Sequence, residues 1–135
     1  RMQSYSTTGL TRRDGSAFWM DAVCRTYTPV ACAFGDDVPF QASLDVSTLG
    51  RAELTRVVST PVRYERTRDV IRKDDHGDYV VSLVKRGEMH VRQNERATRI
   101  EAGDLCLFDT SQPYHLNCPD RYEAIPRSLS DLSGL

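Results

Sequence analysis

The sequence predicts a mainly β protein, a sandwich or barrel folded as one domain, and three observations carry that expectation. From Val30 onward, short runs of β-branched and aromatic residues are separated at regular intervals by the turn signals GDD, TLG, DDHGD, RGE, QNE and AGD. Inside those runs apolar and polar residues alternate with the period of a strand. The length, 135 residues, allows a buried core without staples and is too short for two independent ones.

Residues 1–15, RMQSYSTTGLTRRDG, are polar and turn-rich without period, which predicts a flexible N-terminal arm. Ser16 is placed to cap a short helix over residues 17–28, where Trp19, Val23 and Tyr27 recur every four positions and Pro29 stops continuation. Residues 54–71 are long enough for two strands broken near Pro61, and on period two Arg66, Arg68 and Arg72 share a face. Residues 79–84, YVVSLV, are apolar on both faces, as in a central strand, and a turn follows at Arg86-Gly87. In residues 88–93, Met89 and Val91 fall on one face while Glu88, His90 and Arg92 fall on the other. A third strand, residues 105–109, follows the Gly103-Asp104 turn. Pro126 sits at a helix-start position ahead of Leu129 and Leu132, so residues 125–132 predict the first turn of a helix. The chain thus divides into an arm (1–15), a β domain (16–124) and the start of a linker helix (125–135).

Composition narrows the function. With 18 basic and 19 acidic residues and a net charge of -1, the chain has no cationic excess with which to neutralise phosphates, so it is not expected to bind DNA by itself. Cys24, Cys32, Cys106 and Cys118 include no C-x-x-C pair, which argues against a zinc knuckle or a redox motif and for free thiols in a reducing compartment. No apolar run suits a membrane span and residues 1–15 contain no signal-peptide core; a cytoplasmic protein is expected.

Few residues stand out as chemistry. His90, between charged neighbours, and His76, in the turn DDHGD, read as solvated. For His115 two registers stay open: with Tyr114, Leu116 and Cys118 inward it faces solvent, and with the opposite parity it faces a polar lumen. Arg66 and Arg68 suit an anionic ligand as guanidinium forks, although a solvated face paired with Glu65, Asp69 or Asp104 is the favoured reading. Trp19, Tyr27, Tyr64, Tyr79, Phe108 and Tyr114 can fill a core or line an apolar pocket, and only a few are expected to touch a ligand. Ser82 and Ser111 lack any G-x-S-x-G setting, and there is no glycine-rich phosphate loop.

Taken together, Arg66-Thr67-Arg68, Ile71-Arg72, Asp78-Tyr79, Leu83, Gly87, Gln93, Gly103-Asp104, Leu107, Asp109-Thr110, Pro113-Tyr114 and Ile125-Pro126-Arg127 resemble the N-terminal sensory domain of AraC-type transcriptional regulators, in the AraC-binding-like subgroup, over roughly residues 19–129. The string GDxxLxDTxxPY is the most specific part. The resemblance implies a cupin-like jelly-roll barrel with a short N-terminal helix and the start of a C-terminal one. It implies no enzyme activity, an unidentified small-molecule effector, and a homodimer formed through helices after the barrel. DNA would be met only through a C-terminal helix-turn-helix module. Nothing up to Leu135 supplies that module, so a fragment of a longer regulator, or else a stand-alone remnant, is expected. The residues expected to face the effector are Trp19, Arg66, Arg68, Tyr79, Phe108, Tyr114 and His115.

Metal-binding cupin barrels place two histidines one residue apart, a glutamate and a further histidine around one ion. Counted from Gly87, the paired positions hold Gln93 and Glu95, the glutamate falls at Arg99 or Ile100, and only His115 survives. An arginine there would repel a cation; neither metal nor other cofactor is expected. The alternative is a small stand-alone cupin enzyme, a dioxygenase or isomerase, using His115 with Glu95 and Gln93. A third reading is a dimerisation scaffold with a filled core.

Overall fold

The structure, a computed structural model, describes residues 2–35, 39–50, 52–74 and 77–129. His76 and Asp36-Asp37 of the first predicted turn lie outside the described residues, as do residues 130–132 of the expected C-terminal helix.

Among the described residues, eleven strands form two antiparallel sheets stacked as a cupin-like jelly roll. The six-stranded sheet runs in the order β1 (Met2–Ser6), β3 (Ala42–Leu49), β4 (Ala52–Ser59), β11 (Tyr122–Ser128), β6 (Tyr79–Arg86), β9 (Leu105–Asp109). The five-stranded sheet runs β2 (Ala31–Phe34), β5 (Val62–Arg66), β10 (Tyr114–Cys118), β7 (Glu88–Gln93), β8 (Arg96–Glu101). The chain passes from one sheet to the other between β4 and β5 at Thr60-Pro61, where proline cannot donate to a ladder.

The strand periods hold. In β6, Val80, Ser82 and Val84 are buried, and in β7 Met89 and Val91 are buried while His90 and Arg92 are exposed. The inner faces meet in one core that includes Leu44, Val57, Val62, Tyr64, Val84 and Cys118. At the β6–β7 turn Gly87 has φ +76°, and a Cβ there would lie 2.5 Å from the Arg121 carbonyl oxygen, so glycine is required. At Gly103, φ +94° lets the β8–β9 turn close with Gly103 N–H donating to the Val84 carbonyl at 2.8 Å.

The first fifteen residues are not a featureless arm. Residues 2–6 form β1, registered antiparallel on residues 43–47 of β3, and Thr7 Oγ1 accepts from Ala42 N–H at 3.0 Å. The helix α1 spans Arg12–Thr26, five residues earlier than expected, because Thr11 caps it by accepting from Asp14 N–H at 3.1 Å. Ser16, the expected cap, lies inside the helix. Asp14 in the first turn and Arg25 in the last favour this placement through the helix dipole.

Two further expectations change. Residues 68–73 form a short helix, α2 (Arg68–Lys73), so Arg66 and Arg68 do not share a strand face. Residues 125–128 belong to β11, and Pro126 pairs with Ser82 in register rather than opening a helix. The ladder between β11 and β4 ends at Ala124, so β11 carries Pro126 where it is paired on one side only. The free Pro126 carbonyl is taken by Thr55 Oγ1 at 2.7 Å.

Candidate functional site

A cavity of about 70 Å³ lies between the sheets. Its six-stranded wall is Val57, Val80, Ser82, Tyr122, Ala124 and Pro126. Phe108 of β9 belongs to the same wall, and Tyr64, Met89, Tyr114 and Leu116 face it from the other sheet. Val23 and Tyr27 of α1 and its C-cap, with Thr28 and Val30 of the following loop, close one side. Alternation puts these residues inward: Val80 and Ser82 share the buried face of β6, and Met89 that of β7.

No lining residue carries a charge, and the hydroxyls of Tyr27, Tyr64 and Tyr122 are already engaged. Tyr64 hydroxyl accepts from Trp19 Nε1 at 2.8 Å and lies 3.4 Å from the Tyr122 hydroxyl. Tyr27 donates to Thr55 Oγ1 at 2.7 Å, and Thr55 donates on to the Pro126 carbonyl, which joins the helix end to the last strand. Burial pushes the phenols of Tyr27, Tyr64, Tyr114 and Tyr122 well above their ordinary range, so all four act as neutral groups. Ser82 Oγ, on a residue 2% exposed, has no hydrogen-bond partner.

Of the seven residues expected at the effector, Phe108 and Tyr114 line the cavity, their rings 4.7 Å apart and tilted. Trp19 is fully buried behind it, held by Tyr64 and stacked obliquely on Phe40 at 5.9 Å. Arg66 is also fully buried, yet its guanidinium is spent on the protein. Nε donates to the Thr110 carbonyl (2.6 Å), Nη1 to that of Pro29 (2.8 Å), and Nη2 to the carbonyl (3.4 Å) and carboxylate (3.3 Å) of Asp74. Arg68 is exposed on α2, and Tyr79 is half exposed on the outer face of β6. His115 also points outward, 3.6 Å from Glu65 across the β5–β10 pair, while Tyr114 and Cys118 point in.

The alignment of residues 19–128 with the AraC-binding-like domain covers most of the chain. The chain belongs to that family. The chain is 26% identical over 117 residues to an uncharacterised protein in the nit 5' region of Bacillus sp. (strain OxB-1), covering 84% of this chain and 45% of that protein. It is 34% identical over 87 residues to the transcriptional activator NphR of a Rhodococcus species, covering 64% of this chain and 23% of NphR. The chain therefore spans less than half the length of either curated relative. The AraC-like transcriptional activator CuxR shares the fold, with a TM-score of 0.79 at 20% identity over 99% of this chain and 51% of CuxR.

The family motif acquires physical content here, because its polar residues hold loops together. Thr110 exchanges hydrogen bonds with the Asp78 backbone through both its side chain and its N–H, at 2.7–2.8 Å. Gln93 brackets the Asp109 peptide, donating to its carbonyl at 2.7 Å and accepting from its N–H at 3.2 Å. The Asp109 carboxylate accepts from Ser111 N–H and Oγ. Gln93, the exposed Glu95 in a turn at φ +64° and the outward His115 do not converge, and among the described residues no group of three or more histidine, cysteine or acidic side chains is placed to hold a metal. Among them, too, no helix is long and apolar enough to cross a membrane.

Sequence reasoning weighed Ser82 only as a nucleophile and missed it as a cavity residue; Met89 and Tyr122 were not singled out for the cavity either. The signal was present: one hydroxyl at an inward position among valines, in a strand whose period was already legible.

Proposed function

We propose that this domain is the sensory module of an AraC-type regulator, taking a small-molecule effector into the inter-sheet cavity and controlling a separate C-terminal DNA-binding module. The observation that carries this reading is where the cavity lies. Its lining includes Tyr27 and Thr28, where α1 ends, and Pro126, two residues before β11 ends. The Tyr27–Thr55–Pro126 hydrogen bonds link the same two places. An effector that favours one arrangement of these segments shifts the population of the segment that follows, with no catalytic residue required. Dimerisation in the full-length protein and a cytoplasmic location belong to the same proposal, as does a regulatory rather than catalytic role. The engaged Gln93 and outward His115 give the metalloenzyme alternative no support.

The test is Ala124→Leu in the full-length regulator, which puts a side chain into the cavity from a fully buried position. A promoter-reporter strain is screened with a panel of small molecules, and the variant is compared with wild type for the inducing compound. The expected result is a lost response with promoter binding retained, and an unchanged thermal melt of the 135-residue chain carrying the substitution shows that the sensory domain folds. A full response with the cavity filled would remove the cavity from the signalling path.

A further inference from the structure

Resting on the reading of the cavity as the effector site, we propose that its ligand is a neutral, mostly hydrocarbon molecule of about one ring, with a single polar group that pairs with the Ser82 hydroxyl. The first argument is charge. No lining residue is ionised, neither Arg66 nor Arg127 belongs to the lining, and Arg66 already donates to Thr110, Pro29 and Asp74. A carboxylate or phosphate would lose its hydration and find no counter-ion.

The second argument is a polar atom of the lining that is fully buried and uncommitted. Ser82 Oγ is buried and unpartnered, whereas the hydroxyls of Tyr27 and Tyr64 are committed to Thr55 and to Trp19 and Tyr122. A buried hydroxyl without a partner is a standing cost that one ligand hydroxyl or carbonyl relieves. A water does so poorly, because a stably buried water makes two to four hydrogen bonds.

The third argument is size and surface. Tyr27, Phe108 and Tyr114 present aromatic surface suited to tilted contact with another ring. The volume of about 70 Å³ is roughly half that of an engineered cavity that takes benzene, so one ring enters when a wall residue gives way. Met89, with three rotatable bonds, is the wall residue built to do so. Sugars with several hydroxyls and nucleotides fail on both volume and polarity.

The test titrates the 135-residue chain with benzyl alcohol, benzoate and toluene, reading dissociation constants from amide chemical shifts. Benzyl alcohol is expected to shift residues lining the cavity and to bind at least about tenfold more tightly than benzoate. Ser82→Ala should weaken benzyl alcohol about fivefold and leave toluene unchanged. Benzoate moving the cavity residues as strongly as benzyl alcohol would overturn the neutral class while leaving the cavity as the effector site. An unchanged benzyl alcohol affinity in Ser82→Ala would remove the serine anchor. If none of the three probes shifts cavity residues, the one-ring class falls, and the Ala124→Leu reporter result decides separately whether the effector-site reading falls with it. The comparison of the two oxygenated probes on the wild-type chain needs no variant to fold.

Discussion

Arg66 shows what a fully buried guanidinium does when no ligand is needed to satisfy it. Its donors reach three connections: the α1–β2 loop at Pro29, the α2–β6 loop at Asp74 and the β9–β10 turn at Thr110. Those partners are 37, 8 and 44 residues away in sequence, so one side chain sets the relative positions of loops that the strands alone leave free. Replacing it by methionine keeps much of the volume and takes the donors away from the carbonyls of Thr110, Pro29 and Asp74. Arg66→Met is expected to cost about 3–5 kcal/mol in urea unfolding, and a loss below about 1 kcal/mol would contradict the structural role. That an arginine here matters was legible in the sequence; that it holds loops rather than a ligand was not, because its acceptors are backbone carbonyls, which every residue carries.

At the level of elements, the start of α1 gives a sharp comparison. Thr11 and Ser16 are both good capping residues, and Gly15 within the first turn weakens helix propensity enough to make a start at Ala17 attractive. The structure favours Thr11, whose hydroxyl takes the Asp14 N–H while β1 and Thr7 hold the preceding chain on β3. Gly15 is buried in α1, where an added Cβ would sit 3.6 Å from the Thr7 Cβ, so the helix start packs on the chain that leads into it. Thr11→Ala should destabilise the protein by about 1 kcal/mol in thermal or urea melts, and Ser16→Ala by close to nothing; the reverse order would mean that the helix begins at residue 17. Pro126 teaches the same lesson at the other end. A proline before Leu129 and Leu132 reads as a helix start, but β11 has only one ladder neighbour at that point, and an unpaired edge tolerates proline.

Across the whole molecule, burial is concentrated on groups that can ionise at high pH. Burial pushes the Cys106 thiol up to about 11 and the Cys32 and Cys118 thiols up to about 12, and raises four tyrosines further. In the unfolded chain these thiols titrate near 8.5 and the phenols near 10. Their contribution to stability is therefore complete below about pH 8.5 and is lost as pH rises towards the folded values, since the unfolded state releases its protons first. Urea midpoints should be flat from pH 7 to about 8.5 and fall continuously to pH 11. A flat profile through pH 10 would mean that these groups are not as buried as the structure places them.

By itself the sequence determined what repeats along the chain: the β class, the period of β6 and β7, the turn at Gly87 and the motif that assigns the family. Each of these is local or is supported many times over by neighbouring residues. The tertiary structure decided the rest. Period two sets which residues share a face and leaves open which face is inside, so His115 turned outward only when β10 met β5 and β7. Pairing with β3 made a strand of residues 2–6, and the closing of two sheets over Ser82 left its hydroxyl buried in a cavity without a partner. These outcomes depend on partners far away in the chain, and spacing along a sequence does not record such contacts.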